Sequence, residues 1–372
     1  VMKKQANKQK EDVYKDVDVL IRRRIEEAPP SGEYLFDYKL EALQKEFDKM
    51  KSQEIKKKIK VQFADLPLSK FTLSGLTKRN FKVMTEIQRC VIPHALAGRD
   101  ILGASRTGSG KTLCYLIPMI EKLFSEKFTP LDGLGGLVIT PTRELALQVF
   151  EVLQSVISQH PHISMGLFIG GKNVKSEKAA VGRMNVMIAT PGRLLQHMNE
   201  SYGFSATNLK VLVLDEVDML LDLGFEPALN AILAELPTER QTLLFSATLN
   251  KSIHNIAKFN MKDPEYISLH EAKSDLKDKL KGANDSKEKA TKGVSMSIEL
   301  PKGLTQYYMV VKLEDKLDML YSFLRSHMRS KSLVFFSTIK QVRFAFEAFR
   351  KLGLGRNLPL YQLHGKQGQA QR

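Results

Sequence analysis

From about Val61 onward the chain alternates short, uninterrupted apolar runs with longer mixed segments. Ile101-Leu102, Leu137-Val138-Ile139, Val186-Met187-Ile188-Ala189, Val211-Leu212-Val213-Leu214 and Thr242-Leu243-Leu244-Phe245 each lead directly into polar or Gly/Pro-containing residues. Such runs suit strands buried on both faces of a parallel sheet, with the intervening segments as helical crossovers. The pattern predicts an α/β fold whose functional residues gather at the carboxyl ends of the strands, where open α/β sheets bind ligands.

The flanks follow other patterns. Residues 1 to about 32 are charged and end in the breaker cluster Ala28-Pro29-Pro30-Ser31-Gly32, which reads as a flexible or partly helical leader. Phe36, Leu40, Leu43, Phe47 and Met50 then recur at spacings of three and four, the stripe of an amphipathic helix. Its narrow apolar side suits docking against the main lobe better than anchoring in a membrane. From Glu271 to Lys292 large apolar residues nearly vanish, as in an extended linker. A second α/β region begins near Leu304, with a strand signal at Leu333-Val334-Phe335-Phe336 and a helix over Gln341 to Leu352. The expected organisation is a charged extension (1–60), a first lobe (61–270), a charged linker (271–303) and the start of a second lobe (304–372). That last part is too short to close a sheet of normal size and reads as incomplete at Arg372.

Composition supports two folded units: 372 residues, 43% of them apolar, with no apolar stretch long enough to span a bilayer. Lys plus Arg number 57 against 41 Asp plus Glu, a formal charge of +16 that favours a polyanionic partner. Solvated Lys-rich helix faces produce the same excess, so charge alone decides nothing. Cys90 and Cys114 have neither metal-type spacing nor a disulfide framework, which suits a reducing compartment. Val1 is not an initiator Met and the first thirty residues are polar, so the start reads as internal and without a secretory signal.

The sharpest chemical signal is Ala104-Ser105-Arg106-Thr107-Gly108-Ser109-Gly110-Lys111-Thr112, lying between the Ile101-Leu102 strand and a helix. Glycines let backbone N–H groups turn inward around phosphate oxygens, and the helix N-terminus adds positive potential. Lys111 is placed to reach the β- and γ-phosphates, and Thr112 to offer its hydroxyl to Mg²⁺. Ser105 stands where the strict pattern has its first Gly. Asp215-Glu216 follows the Val211 to Leu214 strand as an acidic partner: Asp215 to hold Mg²⁺, largely through water, and Glu216 to orient or deprotonate the attacking water. The competing readings are a chance glycine turn and an acidic helix cap, and the pairing of the two segments weighs against both.

Asp215-Glu216-Val217-Asp218, with Ser246-Ala247-Thr248 downstream and the phosphate loop upstream, resembles the ordered motif set of the DEAD-box RNA helicases. The resemblance runs from Phe63 to the end of the chain. It implies a RecA-like phosphate-loop lobe, a linker and a truncated second RecA-like lobe. Phe71 and Gln88, seventeen residues apart, resemble the family's adenine-reading element, in which the ring stacks on the base and the amide pairs with its edge. A Gln amide can donate to and accept from adenine simultaneously, which favours ATP over GTP. Pro141-Thr142-Arg143, Gly170-Gly171 and Thr190-Pro191-Gly192-Arg193 resemble the motifs that grip the RNA backbone, although each read alone is merely a turn. Asp218 and the Ser246 to Thr248 segment are implied to couple nucleotide to RNA. In the second region, Ser337, Gln369 and Arg372 match RNA-contacting positions, with His364-Gly365 among them.

Three departures stand out: Val217 replaces the usual Ala, and Met84 and Glu86 replace prolines on either side of Thr85. The Met84 to Gln88 version, Ala64 to Ser69 and Thr190 to Met198 look most like the Dbp-type subgroup that acts on pre-ribosomal and small nucleolar RNA. The resemblance therefore implies an ATP- and Mg²⁺-dependent RNA helicase of the nucleolus. It would work as a monomer without membrane contact, beside ribosome-assembly proteins. The family's later Ala-Arg-Gly-x-Asp and His-Arg-x-Gly-Arg-x-x-Arg segments are missing from the sequence, which would leave this fragment weakly active. If the protein ended at Arg372, a non-catalytic ATP- and RNA-binding scaffold would be the alternative. A DNA helicase shares the phosphate loop, and a GTPase lacks its guanine-reading motif here.

Overall fold

The computed structural model describes Tyr14 and residues 16–32, 61–105, 108–171, 177–178, 181–248, 251–268, 304–354 and 359–368. The chain divides into two compact units, Val1–Ser286 and Lys287–Arg372.

In the first unit the apolar runs form the predicted parallel sheet. Its strands are β1 (Ile101–Ala104), β2 (Gly136–Ile139), β3 (Met165–Phe168), β4 (Val186–Ala189), β5 (Val211–Leu214), β6 (Gln241–Ser246) and β7 (Glu265–Ser268). The order across the sheet is β3-β4-β2-β5-β6-β1-β7, every pair parallel. Successive residues of a strand point to opposite faces, so continuous apolar runs require cover on both sides. Val211 and Val213 belong to one core layer and Leu212 and Leu214 to the other. The first layer packs against α3 (Glu86–Leu96), α4 (Lys111–Ser125) and α5 (Arg143–Val156). The second packs against α6 (Pro191–Glu200), α7 (Val217–Asp222), α8 (Glu226–Ala234) and α9 (Lys251–Asn260).

Two further helices precede the sheet, α1 (Val17–Glu26) and α2 (Lys70–Lys78). The breaker cluster acts as expected: α1 ends ahead of it, and Gly32 takes a φ of 76°. The stripe from Phe36 to Met50 and the linker lie outside the described residues.

The second unit contains α10 (Lys316–Ser326) and α11 (Ile339–Lys351), the latter close to the predicted Gln341 to Leu352. A capping box of Thr338 and Gln341 starts α11, and a small core of Leu324, Ala345, Phe349 and Leu354 joins the pair. Leu333 to Phe336 form no strand, contrary to the sequence signal; Leu333 is 77% and Phe335 86% exposed. An apolar run becomes a strand only beside a partner ladder, and none exists for it among the described residues.

Candidate functional site

Sheet order sorts the predicted motifs into two groups. Phosphate loop, Asp215-Glu216 and Ser246 to Thr248 follow β1, β5 and β6, three adjacent strands. Pro141 to Arg143, Gly170-Gly171 and Thr190 to Arg193 follow β2, β3 and β4, three further adjacent strands, leaving β7 at the far edge. All emerge at the carboxyl edge of one sheet.

In the first group the loop turns on glycine conformations. Gly108 and Gly110 have φ of 75° and 97°, and α4 begins at Lys111 directly after Gly110. A Cβ on Gly110 would sit 2.7 Å from Gln88 Nε2 and 3.0 Å from Thr85 Oγ1, so the position excludes side chains on two grounds. Ser105 is buried, and its hydroxyl accepts from that of Ser109 at 3.2 Å. Arg106 and Thr107 lie outside the described residues. Lys111 is only 6% exposed; its Nζ donates to the Ser105 carbonyl at 3.1 Å and to Glu216 Oε1 at 2.9 Å.

Glu216 holds a φ of 51° and a ψ of 54°, a left-handed backbone rare outside glycine. Its side chain does not cap α7 but pairs with Lys111, so the helix-cap alternative does not describe it. Asp215 is 3% exposed; Oδ2 accepts from the Tyr115 hydroxyl at 2.9 Å, and Oδ1 has no partner. Burial pushes its carboxyl up to about 6, against the pull of Lys111 and the Tyr115 hydrogen bond. Burial beside Asp215 drives the Tyr115 hydroxyl well upward, keeping it a donor. Sequence reading missed Tyr115, although its i, i+4 spacing from Lys111 on one helix face was available.

Asp218 Oδ2 accepts from the N–H groups of Ala247 and Thr248, both at 3.1 Å, and from the Thr248 hydroxyl at 3.3 Å. Ser246 Oγ in return accepts from Asp218 N–H at 3.4 Å. The four residues predicted to couple thus form one knot between β5 and β6. Val217, the departure from the usual Ala, is fully buried in the second core layer.

Gln88 and Thr85 form a capping box at the start of α3. Gln88 Oε1 accepts from Thr85 N–H at 2.8 Å and Nε2 donates to the Gly110 carbonyl at 2.9 Å. One lone pair and one N–H of the amide remain. Phe71 is not brought to this cluster, a correction to the sequence reading. Its ring lies 5.5 Å from Phe124 and 5.6 Å from His160. Phe124 is thirteen residues along α4 from Lys111, about 20 Å at the helical rise, too far for a ring stacked on a base beside Gln88.

In the second group, exposed Arg143 lies across Gly170 and Gly171: a Cβ on either would come within 2.9 and 2.7 Å of its guanidinium. Thr142 caps α5 through Leu145 N–H, and Pro141 is buried. Thr190 and Pro191 are buried at the start of α6, and Gly192 is exposed with open space around it. Arg193 also departs from expectation. It is 7% exposed, its Nε donating to Glu177 Oε2 at 2.8 Å and its Nη1 to Gln196 Oε1 at 3.1 Å. His197, fully buried, bonds the same Glu177 oxygen at 2.8 Å and Ser201 Oγ through its other nitrogen. Arg193 therefore braces the turn rather than facing solvent. In the second unit Ser337 is exposed just ahead of α11, and Gln369 and Arg372 lie outside the described residues.

A glycine-turned phosphate loop and a buried lysine after β1, with an acidic strand end after β5 and only β6 between them, define a RecA-like phosphate-loop lobe. Residues 85–256 match the DEAD/DEAH box helicase family. The chain is 48% identical over 334 residues to "ATP-dependent RNA helicase DBP4" of Chaetomium globosum, covering 90% of this chain and 37% of that protein. It is 50% identical over 307 residues to "Probable ATP-dependent RNA helicase ddx10" of Dictyostelium discoideum, covering 82% and 32%. Among solved structures, a DEAD box protein of the hyperthermophile Methanococcus jannaschii superposes with a TM-score of 0.52 at 29% identity, covering 83% of this chain and 74% of that one. Residues 85–256 are thus a DEAD/DEAH box helicase domain. The chain spans about a third of the length of the curated relatives it matches.

Proposed function

We propose that this chain is part of an ATP-dependent RNA helicase that uses ATP binding and hydrolysis to open short RNA duplexes or remodel RNA–protein complexes. The observation that carries the reading is that the glycine loop, the acidic pair and the Ser246 to Thr248 segment lie at the ends of β1, β5 and β6, while the three turns that resemble RNA-backbone grips follow β2, β3 and β4 of the same sheet. The family match and the names of the chain's relatives support it.

On this reading the free lone pair and N–H of Gln88 take the edge of adenine, while the loop N–H groups and Lys111 take the phosphates. Lys111 is held by Glu216. Recruiting that ammonium to phosphate frees the Glu216 carboxylate to orient the attacking water. The donor set fits Mg²⁺: the Thr112 hydroxyl and an Asp215 carboxylate with an unpartnered, buried Oδ1. Among the described residues no cluster of three His, Cys, Asp or Glu could hold a metal, which suits an ion shared with phosphate and water. When bound, the ion would offset charge on the β- and γ-phosphates.

Arg143, Gly170, Gly171 and the open start of α6 at Gly192 meet RNA through its backbone, so duplex choice falls to other segments. Asp218, tied to Ser246, Ala247 and Thr248, passes the nucleotide state along the edge. Residues 304–372 are the start of a second RecA-like lobe, and Ser337, Gln369 and Arg372 its RNA contacts. The subgroup likeness favours pre-ribosomal or small nucleolar RNA duplexes, the nucleolus and ribosome-assembly partners, with the protein acting as a monomer. No helix among the described residues is long and apolar enough to cross a membrane.

The test is RNA-stimulated ATP turnover by the full-length protein. Glu216→Gln should retain ADP binding and lose turnover by about two or more orders of magnitude, the scale of a general base. Undiminished turnover would remove Glu216 from the mechanism.

A further inference from the structure

The leader ahead of the helicase core contributes a charge to its interior. On α1, Arg22 and Arg23 are exposed, but Arg24 is 5% exposed. Its Nε donates to the Pro67 carbonyl at 3.1 Å, its Nη1 to Ser125 Oγ at 2.8 Å, and its Nη2 to Glu121 Oε2. Glu121 is fully buried on α4, among otherwise apolar neighbours. Its other oxygen accepts from the Ser69 N–H at 3.1 Å and the Ser69 hydroxyl at 2.7 Å. The same hydroxyl caps α2 through Thr72 N–H.

Two pieces of the nucleotide site meet at this carboxylate. Glu121 stands on the helix whose first residue is Lys111. Ser69 ends a segment tied by backbone bonds to the residues just ahead of Thr85 and Gln88: Phe63 N–H to the Lys82 carbonyl at 3.1 Å, and Met84 N–H to the Val61 carbonyl at 3.0 Å. A buried carboxylate must be paired to stay charged in place, and a bidentate-capable guanidinium spanning three partners fixes its direction. The leader is anchored independently as well. Val17 is buried, the Tyr14 ring lies tilted 5.2 Å from that of Phe124, and the Pro29 carbonyl accepts from Arg99 at 2.8 Å.

We infer that Arg24 is a positioning residue for nucleotide recognition: through Glu121 and Ser69 it fixes the spacing between the phosphate-loop helix and the segment that presents Gln88. The inference rests on the assignment of an adenine nucleotide to this site.

The experiment measures binding of a fluorescent ADP and its displacement by ADP and GDP, using full-length protein well below each variant's melting temperature. Arg24→Ala is expected to weaken ADP about three- to tenfold and to reduce ADP-over-GDP preference by a similar factor, the range of coupling through a packed network. Arg24→Lys should recover part of both, since an ammonium reaches Glu121 but cannot span Pro67 and Ser125 as well. A lowered melting temperature with ADP affinity and preference unchanged assigns Arg24 a merely structural role and overturns the proposal. Should Arg24→Ala not fold, Ser69→Ala gives the same reading: a smaller loss of preference supports the link and an unchanged preference overturns it. Wild-type protein that binds ADP and GDP equally overturns the adenine assignment, and this proposal with it.

Discussion

Tyr115 donates its hydroxyl to Oδ2 of Asp215 at 2.9 Å, joining the helix that carries Lys111 to the strand that carries the acidic pair. It is a hydrogen bond that Asp215 accepts while almost fully buried, and it opposes the effect of burial on that carboxyl. Tyr115→Phe should therefore raise the acid limb of the ATPase pH profile, because Asp215 loses the bond that favours its charged form. The profile of kcat/KM from pH 5 to 8 checks this; an unmoved limb would separate Tyr115 from Asp215 function.

Stability should respond to the same carboxylate in the opposite sense from activity. The folded-state pKa of Asp215, about 6, lies above its ordinary 3.8, so the folded lobe binds the extra proton between those values. Asp215 thus makes the lobe lose stability as pH rises from about 4 to about 6, by roughly 3 kcal/mol at most. His160 opposes it. Burial holds its imidazole down to about 4 against 6.5 ordinarily, so its contribution is lost as pH falls through that window. The two slopes partly cancel in the parent. Thermal melts from pH 4 to 8 should show Asp215→Asn gaining stability at neutral pH while losing turnover, and His160→Gln resisting acid better than the parent.

Gly110→Ala should abolish tight ADP binding, by about an order of magnitude or more. Its Cβ would strike Gln88 and Thr85 in a backbone conformation that alanine rarely adopts. Calorimetric titration of ADP into variant and parent provides the comparison, and equal affinities would contradict the close approach of α3 to the phosphate loop.

Two arginines that look alike in sequence should behave differently toward RNA. Arg143 is exposed and Arg193 is buried against Glu177. Arg143→Gln should lower the slope of log K against log salt by about 0.7 for single-stranded RNA, the loss of one phosphate contact. Arg193→Gln should weaken binding with the slope unchanged. Filter binding over a salt series distinguishes them; a slope change at Arg193 would place its guanidinium on phosphate.

Gly171→Ala tests the same grip from its other side. A Cβ there would displace the Arg143 guanidinium, and the φ of 90° disfavours alanine. RNA affinity should fall about tenfold while ADP affinity stays at the parental value. Loss of both together would indicate a folding defect, which circular dichroism would reveal.

The strands were legible because burial on both faces leaves an uninterrupted apolar run, as at Val211 to Leu214. The phosphate loop and acidic strand end were legible because their chemistry depends on local spacing. Phe71 was misplaced because a seventeen-residue interval says nothing about which side of α2 faces the nucleotide; that side faces Phe124 and His160. Leu333 to Phe336 carry an apolar run without a neighbour to pair with among the described residues. Arg193 and Arg24 show the other blind spot, since burial of a charge is decided by a distant partner. Glu177 lies sixteen residues before Arg193, and Glu121 ninety-seven after Arg24. Nothing local to either arginine marks it as paired.

The ladder does not stop where the strands end. Ser105 N–H bonds the Ser246 carbonyl, Asp215 N–H that of Ile139, Thr140 N–H that of Ala189, and Thr190 N–H that of Phe168. With Asp218 and Ser246 closing the gap between β5 and β6, these bonds stitch a hem along the whole working edge. Each stitch advances by one strand spacing, about 4.8 Å. A displacement of the loop after β1 is therefore already a displacement of the turns beside it, and communication along this edge would need no relay through the protein's interior.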